Sequence, residues 1–314
     1  MENKELDLVA QEGGFKGQGE AKFVPFVSDE VYNDCERLRT SDFISAYCDP
    51  YAYHHRKANG KKRENTISMS LGTKVHMAIL ESEKFKALIP VTTKTTLKEG
   101  YIGTDEMEIC KGIADCLRAS PNFVSAFKHP NTYREVGVLW EHDGVKIKSK
   151  VDMVSYNLEE DALTITDIKT FSSAFGGASE SALKKKAVEL GYYIQGEFYG
   201  QAILSAWEST PYASQTGGKL PRVVRCQLLF IDTVAPHMPH RFSLYSRDLS
   251  QDSMSLELLS SAIKAEQDAE NKFGIESVAR NLDYSTPVFD ENGNTPFNWI
   301  NEIKNRREQI CQAL

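Results

Sequence analysis

The stretch from Thr132 to Thr170 constrains the fold of this chain more than any other part of its sequence. TYREVGVLW at its start and ALTITDIKT at its end are rich in β-branched and aromatic residues, which favour strands. Between them, VKIKSKVDMVSY alternates in polarity, as a half-buried strand does. The Asp143-Gly144 pair is typical of a hairpin turn, and NLEED is a polar break. Together these patterns predict a three-stranded β-meander.

Helical patterns surround the predicted meander. A short helix is expected after an N-cap at Thr40, Ser41 or Asp42, and Pro50 ends it. Further helices are predicted near 70–85, 105–118, 121–128, 182–207, 250–273 and 297–312, with two further strands at VVRCQLLFIDT and HRFSLYSRD. The predicted fold class is α/β, a mixed β-sheet flanked by helices. We expect a flexible arm at 1–25 and a single domain over 26–314.

Charge and composition exclude several classes of protein. The chain has 37 Lys and Arg against 44 Asp and Glu, a formal charge of −7, so any contact with nucleic acid must rest on local charge. The sequence has no apolar run of membrane-helix length and starts with the polar MENKELDLVAQEGG, so we expect a cytoplasmic protein with no membrane partner. The six cysteines lack metal-site spacing, which predicts reduced thiols and no iron–sulfur cluster.

Alternation along the middle strand of the meander brings charged side chains to one face. This face carries Lys146, Lys148, Lys150 and Asp152. The other face carries Val145, Ile147, Ser149 and Val151. By itself this pattern is typical of a half-buried strand with a solvated outer face.

The third strand adds a second charged pair. Asp167 and Lys169 are two residues apart, so they project from the same face. Asp152 and Asp167 lie on neighbouring strands, and their carboxylates can meet across the ladder, where unpaired like charges would be costly. A divalent cation removes this cost. Two carboxylates with a lysine nearby suit Mg²⁺, which prefers oxygen ligands and binds phosphate oxygens.

The order Asp152, Asp167, Ile168, Lys169 resembles the D…(D/E)xK core of the PD-(D/E)XK, or restriction-endonuclease-like, nuclease superfamily. Val151 stands where the fuller motif has proline. Further matches follow the order of the branch that includes the recombination exonucleases. They are LGTKVHMAILE with His76 for the Gly-x-x-x-His helix, Glu135 for the first-strand glutamate, and YYIQGEFYGQA with Gln195 and Tyr199 for the Gln-x-x-x-Tyr helix. TSDFISAYCDPYAYHH resembles the opening of the exodeoxyribonuclease VIII (RecE-like) family of phage recombination exonucleases.

This resemblance implies a restriction-endonuclease-like core and a Mg²⁺-dependent exonuclease, with Mn²⁺ able to substitute. Linear double-stranded DNA would be degraded from 5′ ends, leaving 3′ single strands for an annealing protein. The resemblance also implies a ring-like homo-oligomer, such as a trimer or tetramer, in the cytoplasm of a bacterial or phage-infected cell.

The same resemblance assigns roles to individual residues. The metal would be held by His76, Asp152, Asp167 and the carbonyl of Ile168, and Lys169 would orient or deprotonate the attacking water. The other expected active-site residues are Glu135, Gln195 and Tyr199.

Contacts with DNA phosphates are expected from basic segments that offset the acidic average. They comprise Arg56, Lys57, Lys61, Lys62 and Arg63; the strand face with Lys146, Lys148 and Lys150; Lys184, Lys185 and Lys186; and Lys304, Arg306 and Arg307.

Several of these positions have purely structural alternatives. His76 could be a hydrogen-bonded core histidine, Glu135 a surface strand residue, and Gln195 and Tyr199 a packing pair one helical turn apart. Two other functions also fit the pattern: an endonuclease of the same superfamily, and a non-catalytic protein that binds DNA ends on this fold.

Overall fold

A computed structural model describes positions 21–48, 52–53, 56–57, 65–175, 179–250, 259–264 and 266. The chain divides into two compact units. The first unit consists of Met1–Arg39, Glu64–Ala178 and Gly196–Leu256, and the second of Thr40–Arg63, Ser179–Gln195 and Glu257–Leu314.

A mixed sheet forms the base of the first unit. Its strands are β1 (Lys22–Val24), β2 (Leu38–Arg39), β5 (Thr132–His142), β6 (Val145–Asn157), β7 (Ala162–Phe171), β8 (Val223–Asp232) and β9 (Pro239–Asp248). A separate small sheet pairs β3 (Ile89–Pro90) with β4 (Tyr101–Ile102). The large sheet has the order β1-β5-β6-β7-β8-β9, and β2 also pairs with β6.

The strand directions confirm the predicted meander and the two further strands. Strands β5, β6 and β7 are consecutive and antiparallel, β8 runs parallel to β7, and β9 is antiparallel to β8. The mixed α/β fold class is therefore confirmed. Strand β1 pairs with β5, so the end of the expected arm at 1–25 is part of the sheet, whereas positions 1–20 lie outside the described residues.

The helices confirm most of the predicted pattern. They are α1 (Asp29–Asp34), α2 (Thr40–Cys48), α3 (Ile67–Leu80), α4 (Ser82–Lys86), α5 (Thr104–Arg118), α6 (Pro121–Lys128), α7 (Glu180–Glu189), α8 (Tyr192–Ser205) and α9 (Ala213–Thr216). Helix α2 begins at Thr40, so the candidate caps Thr40, Ser41 and Asp42 lie in its first turn. None of the described helices is long and apolar enough to cross a membrane.

Two predicted helices are each broken into two. The expected helix near 70–85 is interrupted at Glu81, and the one near 182–207 at Gly191. Gly191 has φ +67°, a left-handed conformation that glycine adopts readily and that ends a helix. Of the helix expected near 250–273, positions 259–264 and 266 are described and helical, and the one near 297–312 lies outside the described residues.

Helices α3 and α5 pack against the meander. An apolar stripe of α3 is buried at Val75, Ala78 and Ile79, and it packs in one cluster with Met153 and Ile168 of the sheet. Because the stripe faces inward, the neighbouring His76 lies at the edge of the helix, partly exposed. In the described part of the chain, Cys35, Cys110, Cys116 and Cys226 are free.

The second unit contains α2, α7 and the first turn of α8. A buried carboxylate lies within it: Glu266 accepts a hydrogen bond from Tyr53 at 3.0 Å and pairs with the Lys57 ammonium at 2.8 Å. Lys57 also lies over the ring of Tyr53, 5.8 Å from its centre.

Candidate active site

The candidate site begins with the histidine on α3. Thr66 caps this helix by accepting a hydrogen bond from the Met69 amide. The His76 ring lies between two groups of the meander, with Nε2 2.9 Å from the Ile168 carbonyl and Nδ1 3.5 Å from Asp152 Oδ1. The carbonyl fixes the orientation of the ring, as the outer partner of a metal-binding histidine does.

Asp152 lies where β6 and β7 stop pairing. Their last paired positions are Met153 and Thr166, so Asp152 and Asp167 come next on the two strands. The same edge of β6 pairs with β2 only at Ile147 and Lys148, which leaves an opening in the described ladder at 149–152. At this opening a side chain takes the place of the backbone as acceptor: Asp152 Oδ2 accepts a 2.6 Å hydrogen bond from the Ile168 amide.

Glu135 occupies a strained position on β5. Its φ is +48°, a left-handed conformation that costs a non-glycine residue about 1–3 kcal/mol. The pairs on either side, Arg134 with Met153 and Val136 with Val151, are regular, whereas Glu135 is missing from the paired positions. Its carbonyl instead accepts a hydrogen bond from the Val27 amide at 2.9 Å. Strain of this kind is concentrated at functional sites.

Asp167 and Lys169 form a close ion pair on β7. Lys169 Nζ lies 2.6 Å from Asp167 Oδ2. Asp167 is 2% exposed and the lysine side chain is 19% exposed, so the ion pair is largely shielded from water. Since both residues pair in register with β8, their positions are set by the sheet.

Each carboxylate of the site therefore has a cation beside it. Asp167 pairs with Lys169, Asp152 with His76, and Glu135 with Lys150 at 2.6 Å. These partners allow acidic groups to lie together in a buried site before any metal binds.

The pKa directions follow from burial and from these neighbours. Burial lowers the pKa of His76, but the Asp152 carboxylate outweighs it and raises this pKa to about 9. Burial raises the pKa of Asp152, and His76 and Lys169 more than reverse this effect. Burial raises the pKa of Asp167 to about 6, although Lys169 opposes the shift. Burial and the charge of Asp152 raise the pKa of Glu135.

Three of these side chains can hold a metal together. One ligand atom from each of His76, Glu135 and Asp152 lies within 4.8 Å of the others. One imidazole nitrogen and two carboxylate oxygens suit Mn²⁺ and Mg²⁺, so the donor set fits the expected cation. The set differs from the predicted ligands in containing Glu135 in place of Asp167. The role of Asp167 and of the Ile168 carbonyl as metal ligands stays a prediction.

One predicted DNA contact is corrected by the structure. Lys148 is 2% exposed, and its ammonium donates hydrogen bonds to the carbonyls of Tyr32 at 2.8 Å and Cys35 at 2.5 Å. It therefore anchors the end of α1 to the sheet and is not available to a phosphate. Lys146 is exposed, whereas Lys150 is half-buried next to Glu135.

The other predicted basic residues belong to the second unit. Lys57 pairs with Glu266, while Lys184 and Lys185 form ion pairs with Glu180 and Glu189, one helical turn away. Arg56 and Lys186 are half-buried, and Lys61, Lys62 and Arg63 lie outside the described residues. Gln195 and Tyr199 share helix α8, half-buried and buried respectively. Their roles at the site stay predictions.

The sequence analysis did not identify Asp29, which pairs with Lys150 beside the candidate site. Its carboxylate lies 2.5 Å from Lys150 Nζ, although the two residues are far apart in the chain. The sequence Ser28-Asp29-Glu30 has the pattern of a helix start, and Ser28 is indeed the N-cap of α1. This signal predicts the helix but not its neighbour.

Comparisons with known proteins find similarity only among solved structures. No protein-family model and no curated protein matches the chain. Among solved structures it is similar to a protein assigned as an exonuclease from Eubacterium rectale, with TM-score 0.49, 15% identity and coverage of 80% of this chain and 87% of that one. It is also similar to a phage-related exonuclease from Haemophilus somnus 129PT, with TM-score 0.31, 13% identity and coverage of 78% and 96%. At such low identity, function has to be inferred from the site itself.

Proposed function

We propose that this chain is a metal-dependent nuclease that hydrolyses the phosphodiester bonds of DNA. One observation carries the proposal: the donors of His76, Glu135 and Asp152 converge directly beside the Asp167–Lys169 pair. A hydrogen bond connects the donors to this pair. Asp152 accepts it from the amide of Ile168, the residue between Asp167 and Lys169.

The proposed chemistry follows from these contacts. A bound Mg²⁺ or Mn²⁺ would neutralise the phosphate and make a water molecule more acidic. Lys169 lies next to these donors, where its ammonium would orient the attacking water or donate to a phosphoryl oxygen. Because the pKa of His76 is about 9, its ring must lose a proton before it can act as a ligand, with Ile168 holding its orientation.

The finer part of the proposal is an exonuclease that degrades linear double-stranded DNA from 5′ ends. Its support is the motif order from His76 through Asp152 and Lys169 to Gln195 and Tyr199, which resembles the exodeoxyribonuclease VIII family. An annealing partner, a ring-like oligomer and a cytoplasmic location are further expectations from the same resemblance.

Digestion of end-labelled DNA tests the proposal. Linear duplex labelled at either the 5′ or the 3′ end is incubated with Mg²⁺, with Mn²⁺ or with EDTA, next to closed circular DNA. We expect metal-dependent loss of the linear substrate, early release of the 5′ label and intact circles. Cleavage of the circles would favour the endonuclease alternative. Binding of ends without any metal-dependent cleavage would favour the non-catalytic alternative and refute the nuclease.

A further inference from the structure

The Lys150 ammonium lies between two carboxylates from different elements. Its Nζ is 2.6 Å from Glu135 Oε2 on β5 and 2.5 Å from Asp29 Oδ1 at the start of α1. Lys150 is two residues before Asp152 on β6, so both side chains leave the same face of the strand. The lysine side chain is 18% exposed and that of Glu135 is 8% exposed, so their pair is largely shielded from water.

The second carboxylate, Asp29, is itself held in place. It is the first residue of α1, directly after the N-cap Ser28, whose hydroxyl accepts a hydrogen bond from the Val31 amide. Lys84 approaches Asp29 Oδ2 to 3.9 Å and also pairs with Glu81. Lys150 is therefore fixed by an anchor on α1 as well as by its contact with Glu135.

Glu135 needs such a partner more than an ordinary strand residue does. Its backbone is strained and it lacks a position in the described ladder with β6. Its carboxylate also lies within 4.8 Å of a ligand atom of Asp152, another acid, and like charges at that distance repel. The Lys150 ammonium offsets this repulsion, because it lies 2.6 Å from the Glu135 carboxylate.

We propose that Lys150 is a positioning residue that holds Glu135 beside Asp152 and His76, so that the three donors are arranged for a divalent cation before it binds. The inference rests on the proposed function, since it takes this donor set to be the metal site. It replaces the expectation that Lys150 contacts a DNA phosphate.

Metal binding measured without DNA tests the inference. Mn²⁺ is titrated into the full chain and followed by electron paramagnetic resonance and calorimetry. Loss of an outer partner of a metal ligand weakens metal affinity by about 10–100-fold, and we expect Lys150→Met to fall in this range. Lys150→Arg, which keeps the charge, should restore most of the affinity. Lys86→Met removes an exposed lysine that pairs with Glu83 on α4 and should leave the affinity unchanged.

A second variant keeps the inference testable if Lys150→Met does not fold. Asp29→Asn keeps both Lys150 and Glu135 but removes one anchor of the lysine, and we expect a smaller loss of Mn²⁺ affinity in the same direction. Unchanged or tighter Mn²⁺ binding in a folded Lys150→Met protein overturns the inference. If that protein does not fold, unchanged binding in Asp29→Asn overturns it.

Failure of the inference and failure of the proposed function give different results. If the unmodified chain binds no Mn²⁺, the proposed function fails. If it binds Mn²⁺ and Asp152→Asn weakens this binding, the metal site stands and the Lys150 variants decide the inference. Duplex affinity measured with Ca²⁺ provides the remaining comparison. Weaker duplex binding by Lys150→Met at unchanged metal affinity would show a phosphate contact and overturn the positioning role.

Discussion

Replacing Asp167 by asparagine should make the metal-free protein more stable. Burial raises the pKa of this carboxyl to about 6 in the folded chain, against 3.8 for an ordinary aspartate, even with Lys169 beside it. Ionised Asp167 is therefore less favourable in the folded state than in the unfolded state. The pKa differs by about two units between the two states. At about 1.4 kcal/mol per unit, ionised Asp167 lowers the free energy of unfolding by about 3 kcal/mol.

The sign and pH range follow from the same pKa values. A carboxyl with a raised folded-state pKa destabilises the fold fully above about pH 6, and this destabilisation disappears as the pH falls towards 3.8. Asp167→Asn should therefore gain about 3 kcal/mol in the free energy of unfolding at pH 8 and less than about 1 kcal/mol at pH 4. The gain arises because asparagine removes a buried negative charge that is less favourable in the folded chain than in the unfolded chain.

Urea unfolding in EDTA measures this gain. Asp115→Asn is the matched control, because Asp115 is 74% exposed in its pair with Arg118, and its removal should change stability by less than about 0.5 kcal/mol. In the same preparation, Asp167→Asn should lose metal-dependent cleavage. Equal or lower stability of Asp167→Asn at pH 8 would refute the claim that ionised Asp167 is held at a cost.

Three further predictions concern single side chains. Lys169→Ala should lower the cleavage rate by about 10²–10⁴-fold while duplex binding with Ca²⁺ is retained, and near-normal cleavage would remove Lys169 from the mechanism. Asp152→Asn should weaken Mn²⁺ binding in a calorimetric titration, and an unchanged titration would contradict the donor set. Lys74→Met should cost about 3–5 kcal/mol in urea unfolding, because it leaves Glu106 buried without the cation now 2.6 Å away. Adding Glu106→Gln should recover most of this loss, and an equally unstable double variant would contradict the explanation.

Local patterns predicted the elements of the fold well. The meander around Asp143-Gly144, the start of α6 at Pro121 and the buried stripe of α3 all follow from hydrophobic periodicity and turn chemistry, which act over a few residues. Where one residue interrupts a pattern, as Gly191 does between α7 and α8, the prediction joined two helices into one. A single left-handed residue ends a helix without changing the apolar periodicity on either side of it.

The charged side chains of β6 show the limit of such patterns. Lys146, Lys148 and Lys150 share a face and are chemically identical in the sequence. In the structure one is exposed, one binds carbonyls at the end of α1, and one pairs with Glu135 and Asp29. The contacts of Lys148 and of Lys150 with α1 reach across more than 100 residues of the chain.

The sequence by itself determined that two acidic residues and a lysine lie close together on neighbouring strands, because strand alternation and strand order bring Asp152, Asp167 and Lys169 near one another. The tertiary structure alone decided which donors converge and which cation accompanies each of them. The opening between β6 and β7, the strained backbone of Glu135 and the packing of α1 and α3 are long-range features. The interaction energy of a charged side chain depends mainly on the groups within a few ångströms of it. In a folded chain many of these groups come from distant parts of the sequence.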